Sequence, residues 1–231
     1  MCTVLDSNLS LEMNNYILHI ETATKVCSVA LSNAGELIAC KESISDGFIH
    51  SEALTLYIEE TLRVAEVSLS DLKAISISSG PGSYTGLRIG LSTAKGLCFA
   101  LKIPLISVET LLALSELASK GEEPTIPMLD ARRMEVYAQV IASDGNILQP
   151  MDAIELDSTT FSEFEPFQVC GDGAAKCKEM WSHRNIIWNE KLLSSAKGQV
   201  AIAFDKYQKK EFENLAYFTP IYLKDANGVR R

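Results

Sequence analysis

Residues suited to acid–base or metal chemistry are scarce in this sequence. Its 231 residues include three histidines and six cysteines, with no CxxC pair and no histidine at zinc-finger spacing from a cysteine. His50 begins a predicted helix, where a metal site would require a second histidine one turn later, but position 54 is leucine. Cysteines scattered in this way are typical of reduced, buried thiols. We therefore expect no metal site and a cytoplasmic location.

The sequence also lacks an excess of basic charge. It has 30 aspartates and glutamates against 21 lysines and arginines, a formal charge of -9, and neither half of the chain is basic. A protein that binds nucleic acid by itself needs a basic face to neutralise phosphate. We therefore expect no free-standing nucleic-acid binding, and we interpret the basic pairs at 209–210 and 230–231 as a solvated helix face and a tail.

Long apolar runs are absent as well. Residues 1–15 carry acidic side chains and no apolar run of signal-peptide length. The richest apolar stretch, at 96–108, is interrupted by Lys102 and Pro104. The sequence therefore predicts no membrane-spanning segment.

What the sequence does contain is an α/β order of elements that occurs twice. Three short β-rich runs from residue 16 to residue 40 precede a segment of helical period, a buried strand, a second helix and a further strand. After a linker at 121–124 three more strands begin a similar order. The pattern predicts two lobes with mixed sheets of β-β-β-α-β-α order. We assign 13–109 to the first lobe, 110–210 to a smaller second lobe and 1–12 to a flexible extension, and expect 211–231 to pack back on the first lobe.

A glycine-rich loop at 80–86 leads from a predicted strand into the second helix. It is neither a Walker A loop nor GxGxxG, so it is weak support for phosphate binding. On the helix, Gly86, Gly90 and Ala94 recur every four residues and form a face with almost no side-chain bulk. Such a face allows either close packing on the protein's own sheet or close approach of a helix from another molecule.

Two acidic positions are candidates for a cleft between the lobes. Asp130 lies at the end of a predicted strand, and Asp172 lies between Gly171 and Gly173. Either carboxylate could face a phosphate or a metal ion, although turn formation explains the Gly-Asp-Gly sequence equally well. The adjacent Arg132-Arg133 pair is more often a structural ion-pairing group than a clamp for a ligand.

Several segments together resemble the TsaB (YeaZ) family. They are residues 17–24 (ILHIETAT), 27–31, 79–95 (SGPGSYTGLRIGLSTAK), 130–137 (DARRMEVY) and 220–223 (PIYL). The resemblance extends over residues 16–224, and the central block is its most specific part. It implies the two-lobe ATPase fold of actin, hexokinase and Hsp70.

The resemblance also implies a function. Members are non-catalytic scaffold and activator subunits in the formation of N6-threonylcarbamoyladenosine at position 37 of ANN-decoding tRNAs. A TsaD-like subunit carries the metal and the catalysis, and a TsaE-like ATPase completes the complex. Members pair through their first two helices, so a homodimer is expected without the partner. Because the chain is acidic, we expect tRNA to contact it only indirectly.

Site residues follow from the same resemblance. No catalytic residue is expected, and ATP or ADP would bind only at a site shared within the complex. The expected partner interface comprises Leu54, Tyr57, Ile58, Leu62, Tyr84, Gly86, Leu87, Gly90, Thr93, Ala94 and Leu97. A degenerate nucleotide cleft would comprise Glu21, Thr22, Gly82, Asp130, Gly171, Asp172 and Gly173.

One departure from the superfamily bears on that cleft. Glu21 stands where an aspartate is usual in the first phosphate turn, and the longer side chain is expected to place a carboxylate in the phosphate position. The alternative function is an ATP-dependent, kinase-like enzyme acting on a small molecule, with Glu21, Asp130 or Asp172 near Mg²⁺. A peptidase is disfavoured because no Ser-His-Asp, Cys-His or two-histidine set is present.

Overall fold

The computed structural model describes residues 14–44 and 50–224; the expected extension at 1–12 lies outside them. The first half of the chain forms a five-stranded sheet of order β3-β2-β1-β4-β5. The strand β1 pairs antiparallel with β2 and parallel with β4. The elements are β1 (Tyr16–Glu21), β2 (Val26–Asn33), β3 (Glu36–Ile44), α1 (His50–Val64), β4 (Leu72–Ser78), α2 (Tyr84–Leu101) and β5 (Leu105–Val108).

The second half forms another five-stranded sheet, of order β10-β9-β6-β7-β8. Its elements are α3 (Thr110–Glu116), β6 (Thr125–Asp130), β7 (Glu135–Ile141), β8 (Ile147–Glu155), β9 (Phe167–Cys170), β10 (Ile186–Asn189) and α4 (Val200–Lys209). The predicted α/β class and the repeated start of three strands are confirmed. Where the repeated order of elements would place a helix after Gly173, the chain forms a 3-10 turn over Ala174–Cys177, in which Lys176 N donates to Gly173 O.

Both faces of the first sheet are covered, which explains why β1 is buried along nearly its whole length, including the polar His19 and Glu21. Leu18 and Ile20 pack towards α1 and α2. Ile17 packs on the opposite face with Ala203 of α4. The sequence placed α4 with the second lobe, but its apolar side is buried against the first sheet.

The chain returns to the first lobe after α4. We name residues 213–224 the C-terminal strap. Its Glu213 N donates to Leu105 O at 2.9 Å, and its Ile221 N donates to Ser79 O at 2.7 Å. At its end Lys224 Nζ donates to Ala131 O, 3.3 Å away in the second lobe. The strap therefore runs from the end of β5 past the glycine-rich loop to the turn between β6 and β7. Within the described residues no helix is long and apolar enough to cross a membrane.

Candidate functional site

The turn that follows β1 is the one that the family resemblance compares with a phosphate-binding turn. Its acidic residue, Glu21, points into the protein interior. Glu21 is fully buried, and its carboxyl accepts hydrogen bonds from Ala23 N at 2.6 Å and from Ser78 Oγ. Burial raises the pKa of Glu21 to about 7, although both hydrogen bonds act to lower it. The longer side chain therefore folds back beneath its own turn, where its carboxyl takes the N–H group of Ala23.

A chain of buried polar side chains crosses the sheet below this turn. His19 Nδ1 lies 2.6 Å from Ser76 Oγ, and its Nε2 lies 2.7 Å from Ser32 Oγ. Ser76 Oγ donates to Gln199 Oε1 at 2.7 Å. Because the Ser76 hydrogen is used there, Nδ1 of His19 is the ring donor and Nε2 accepts from Ser32. Burial lowers the pKa of His19 to about 3, so the ring is neutral.

Gln199 joins this polar chain to the turn. Its Nε2 donates to Ile20 O at 2.9 Å and to Ser78 Oγ at 3.1 Å. Ser78 in turn donates to Glu21. Gln199 lies in the segment that precedes α4 and is fully buried. One side chain therefore connects β1, β4 and the acidic residue of the turn, although nothing in its sequence neighbourhood predicts this role.

The glycine-rich loop packs directly on the same turn. Thr22 Oγ1 donates to Gly86 O at 2.8 Å, and Ser83 N donates to Ala23 O at 2.6 Å. A Cβ atom at Gly82 would overlap Ala23 O, and one at Gly86 would overlap Thr22 O. These glycines allow α2 to approach the turn closely. The loop and the turn thus bind each other and leave little space between them for an anion.

The second wall of the cleft contains the other predicted acidic residues. Asp172 Oδ1 accepts a hydrogen bond from Asp130 N at 3.0 Å. Asp130 Oδ1 lies 2.6 Å from Lys176 Nζ. Burial raises the pKa of Asp172, and the nearby ammonium groups of Lys25 and Lys176 oppose that shift. The Lys25 ammonium, which belongs to the turn after β1, therefore acts electrostatically on Asp172 in the second half of the chain.

The glycines of the second wall have a packing role. A Cβ at Gly171 would overlap Met128 O, and one at Gly173 would lie 2.9 Å from Val136 Cγ1. Turn formation and close packing thus account for the Gly-Asp-Gly sequence. Among residues 14–44 and 50–224, no group of three or more histidine, cysteine, aspartate or glutamate side chains is arranged to hold a metal ion.

The expected interface residues lie mostly on the inner faces of α1 and α2. Seven of them are buried within the chain's own core: Leu54, Ile58, Leu62, Gly86, Leu87, Gly90 and Ala94. The small-residue face of α2 therefore packs on this protein's own sheet, the first of the two alternatives. Tyr57, Tyr84, Thr93 and Leu97 are partly buried. These side chains support the helices from within, and a partner would meet the opposite faces.

The outer faces of the same helices carry apolar residues that the spacing analysis missed. Leu56 and Val64 on α1 are 57% and 67% exposed, and Phe99 on α2 is 79% exposed. A Cβ atom added at Gly96, one turn before Ala100, would meet nothing within 4 Å. Apolar residues outside the apolar stripe of an amphipathic helix are the sequence signal that could have identified this surface.

The outer surface of α2 is basic, and that of α1 is mainly acidic. α2 contains Arg88 and Lys95 and no acidic residue, whereas α1 contains three glutamates and one arginine. The Arg88 guanidinium lies 4.0 Å from the centre of the Tyr84 ring, and its Nε donates to Tyr222 Oη at 3.3 Å. Lys95 Nζ donates to Ala216 O at 3.4 Å. The C-terminal strap therefore covers one flank of α2.

Comparison with known proteins agrees with this architecture. The model of the TsaD family, described as tRNA N6-adenosine threonylcarbamoyltransferase, matches residues 49–228. The tRNA threonylcarbamoyladenosine biosynthesis protein TsaB of Escherichia coli K12 is 28% identical, over 90% of this chain and 94% of that protein. The protein of the same name in Haemophilus influenzae is also 28% identical, over 92% of this chain and 94% of its own length.

Solved structures show the same fold. YeaZ from Pseudomonas aeruginosa superposes with a TM-score of 0.77 at 25% identity, covering 90% of this chain and 100% of that one. The ethanolamine utilization protein EutJ of Carboxydothermus hydrogenoformans shares the fold alone, with a TM-score of 0.53 at 9% identity. The chain thus belongs to the TsaD family.

Proposed function

We propose that this chain is a non-catalytic scaffold and activating subunit in the formation of N6-threonylcarbamoyladenosine in tRNA. It acts by binding a TsaD-type catalytic subunit. The names of the E. coli and H. influenzae relatives support the pathway, since both alignments span nearly the whole length of those proteins. Position 37 of ANN-decoding tRNAs as the target, and a TsaE-type ATPase as the third member, belong to the same proposal.

The exposed apolar side chains of α1 and α2 carry this proposal. Leu56 and Phe99 are more than half exposed on neighbouring helices whose inner faces are already packed. Exposed large apolar residues on a well-packed helix pair are typical of a surface that another protein covers. Small residues at positions 92 and 96 lie between Arg88 and Phe99 and would allow the backbone of a partner helix to come close.

The cleft supports the non-catalytic part of the proposal. Glu21 uses its carboxyl on its own turn, and Asp130 is paired with Lys176. The kinase-like alternative requires these carboxylates to face Mg²⁺ and nucleotide, and their present hydrogen bonds oppose that arrangement. Leucine at position 54 removes the second histidine that a metal site on the first helix would need. Any bound ATP or ADP would therefore lie at a site completed by the partner.

The same helix faces account for a homodimer in the absence of the partner. In a two-fold arrangement the same patch of both copies is in contact, so an acidic α1 and a basic α2 can face each other across the axis. Association with the catalytic subunit would replace this contact. Light scattering of the isolated chain at micromolar concentration tests it, and a monomer under those conditions contradicts the homodimer.

Reconstitution of tRNA modification tests the proposed function. The purified chain alone should form no threonylcarbamoyladenosine, and adding it to the catalytic subunit should restore formation. Gly96→Trp is a steric probe of the proposed partner surface on α2, since a side chain there extends into open space and leaves the fold intact. It should block both co-elution with the catalytic subunit and restoration of activity. Full activity of the catalytic subunit without this chain would refute the proposal.

A further inference from the structure

The lobes built on the two sheets are joined by two chain crossings that lie side by side. The chain leaves the first sheet after β5, where Thr110 N at the start of α3 donates to Gly80 O at 2.9 Å. It returns through the 3-10 turn Ala196–Gln199. This turn packs on the backbone of α3, since a Cβ atom at Gly198 would lie 2.0 Å from Ala113 O. Two adjacent crossings form a hinge, which resists separation of the lobes but not their rotation.

The C-terminal strap makes a third crossing at a different place. Its body is fixed to the first lobe, where Ile221 N donates to Ser79 O at 2.7 Å and the Tyr222 ring lies 5.0 Å from the Tyr84 ring. The Ile221 carbonyl also lies against Gly80, since a Cβ atom there would be 2.5 Å from its oxygen. The strap therefore follows the first lobe closely before it reaches the second.

Lys224 is the strap residue that makes this crossing. Its side chain is buried, which is rare for a lysine unless its charge is paired. The ammonium forms an ion pair with Glu135 at the start of β7 and donates to Ala131 O, 3.3 Å away just after β6. It also lies 5.9 Å from the centre of the Tyr137 ring. The strap thus holds both ends of the turn between β6 and β7.

A second lysine holds the same turn from within the second lobe. Lys176 Nζ lies 2.6 Å from Asp130 Oδ1 and donates to Glu135 O at 2.7 Å. The two lysines therefore contact one turn but differ in where they come from. Loss of the Lys176 charge would loosen the turn alone. Loss of the Lys224 charge would also release the second lobe from the strap.

We infer that the C-terminal strap is a latch that holds the two lobes at a fixed angle, with the Lys224–Glu135 ion pair as its contact on the second lobe. When this pair is broken, the lobes rotate about the hinge at α3 and the cleft between them opens. Removing either charge leaves the other partly buried without its partner, which favours the open form. One ion pair and one hydrogen bond are a small part of the contacts within either lobe, so the latch opens without unfolding them.

Lys224→Met tests the latch in the isolated full-length chain, because it keeps the apolar stem of the side chain and removes the charge. Lys176→Met is the matched control, since it removes a lysine from the same turn without altering the strap. We expect Lys224→Met to increase the radius of gyration measured by small-angle X-ray scattering. It should also speed amide hydrogen exchange at residues 130–135 at least about tenfold.

The two other variants define what the latch predicts. Lys176→Met should speed exchange at the turn but keep the radius of gyration of the wild type. Lys224→Arg, which retains the charge, should resemble the wild type in both measurements. Light scattering on the same samples ensures that only chains of equal molecular mass are compared. Because this chain is measured alone, failure of the proposed function would leave the result unaffected.

Several outcomes would overturn the latch. If Lys224→Met keeps the radius of gyration of the wild type, the ion pair stabilises the turn alone. If Lys176→Met increases the radius equally, loosening the turn is sufficient and the strap is not the cause. Should Lys224→Met fail to fold, Glu135→Gln removes the other charge of the pair and must give the same increase. Failure of both variants to fold also contradicts the latch, because neither lobe should need it to fold.

Discussion

The carboxyl of Glu21 accepts a hydrogen bond from the backbone N–H of Ala23, 2.6 Å away, within the turn that follows its own strand. In a phosphate-binding turn, N–H groups of this kind are the donors that hold the anion. Here the donor is used by an internal carboxyl that is fully buried. The turn is thus a structural joint between β1 and α2, which is consistent with a subunit whose chemistry lies in its partner.

The first prediction concerns the pH dependence of stability through Glu21. Its pKa of about 7 in the folded chain lies above the ordinary value of 4.5. Between these values the folded protein retains a proton that the unfolded chain has released. The Glu21 contribution to stability is therefore present below the ordinary pKa and is lost as pH rises to about 7. Glu21→Gln should thus raise the free energy of unfolding by about 1–3 kcal/mol at pH 8 and by little at pH 4.5.

Denaturant unfolding of both proteins across this pH range provides the measurement. His19 acts in the opposite direction, because its lowered pKa makes stability increase as pH rises from about 3 towards its ordinary value of 6.5. It is present in both proteins, so its effect cancels when the variant is compared with the wild type. A difference that does not vary with pH would show that Glu21 keeps its ordinary pKa.

The second prediction uses two glycines of α2 that differ in their surroundings. A Cβ at Gly90 would overlap Thr22 Oγ1, whereas one at Gly96 meets nothing within 4 Å. Gly90→Ala should therefore lower the free energy of unfolding by about 1–3 kcal/mol through overpacking. Gly96→Ala should raise it by about 0.5–1 kcal/mol through helix propensity. Equal effects in thermal unfolding would mean that the turn does not pack on α2 as described.

The third prediction concerns Gln199, which satisfies Ser76, Ser78 and the carbonyl of Ile20. Gln199→Leu fills a similar volume but leaves these buried groups without a partner. We expect a loss of about 2–4 kcal/mol in the free energy of unfolding. Gln208→Leu, at an exposed position of α4, is the control and should stay within about 0.5 kcal/mol of wild type. Comparable losses in both variants would mean that the buried polar side chains around Gln199 contribute little to the free energy of unfolding.

Local patterns in the sequence predicted the sheets well. Alternating apolar runs located the strands of both lobes, and the Gly-Pro-Gly segment correctly marked the passage from β4 into α2. The region after Gly173 was harder, because its apolar spacing suits a helix while the chain forms a short 3-10 turn beside the buried Trp181. Tertiary packing around that ring outweighs local spacing there.

The sequence did not predict which helix faces are buried within the chain or which distant residues contact each other at the site. Helical spacing identifies the apolar stripe of α1 and α2, and the nearest apolar surface for it is the chain's own sheet, so the stripe residues are buried. The direction of the Glu21 side chain follows from Ser78, which lies 57 residues away. The pairing of Arg88 with Tyr222 joins positions 134 residues apart. Spacing arguments within one segment contain no information about such contacts.

The fourth prediction concerns the outer faces of α1 and α2. Phe99→Asp and Leu56→Asp each place a charge on the proposed partner surface, where burial without a counter-charge is unfavourable. Each should weaken association with the catalytic subunit at least tenfold, or about 1.4 kcal/mol, as measured by calorimetry. Because the Phe99 side chain is 79% exposed in this chain, the melting temperature of the Phe99→Asp variant should not fall. Ile147→Asp, at a 52% exposed position of the second lobe, is the matched control and should bind normally. Unchanged binding by both helix variants would place the partner surface elsewhere on the molecule.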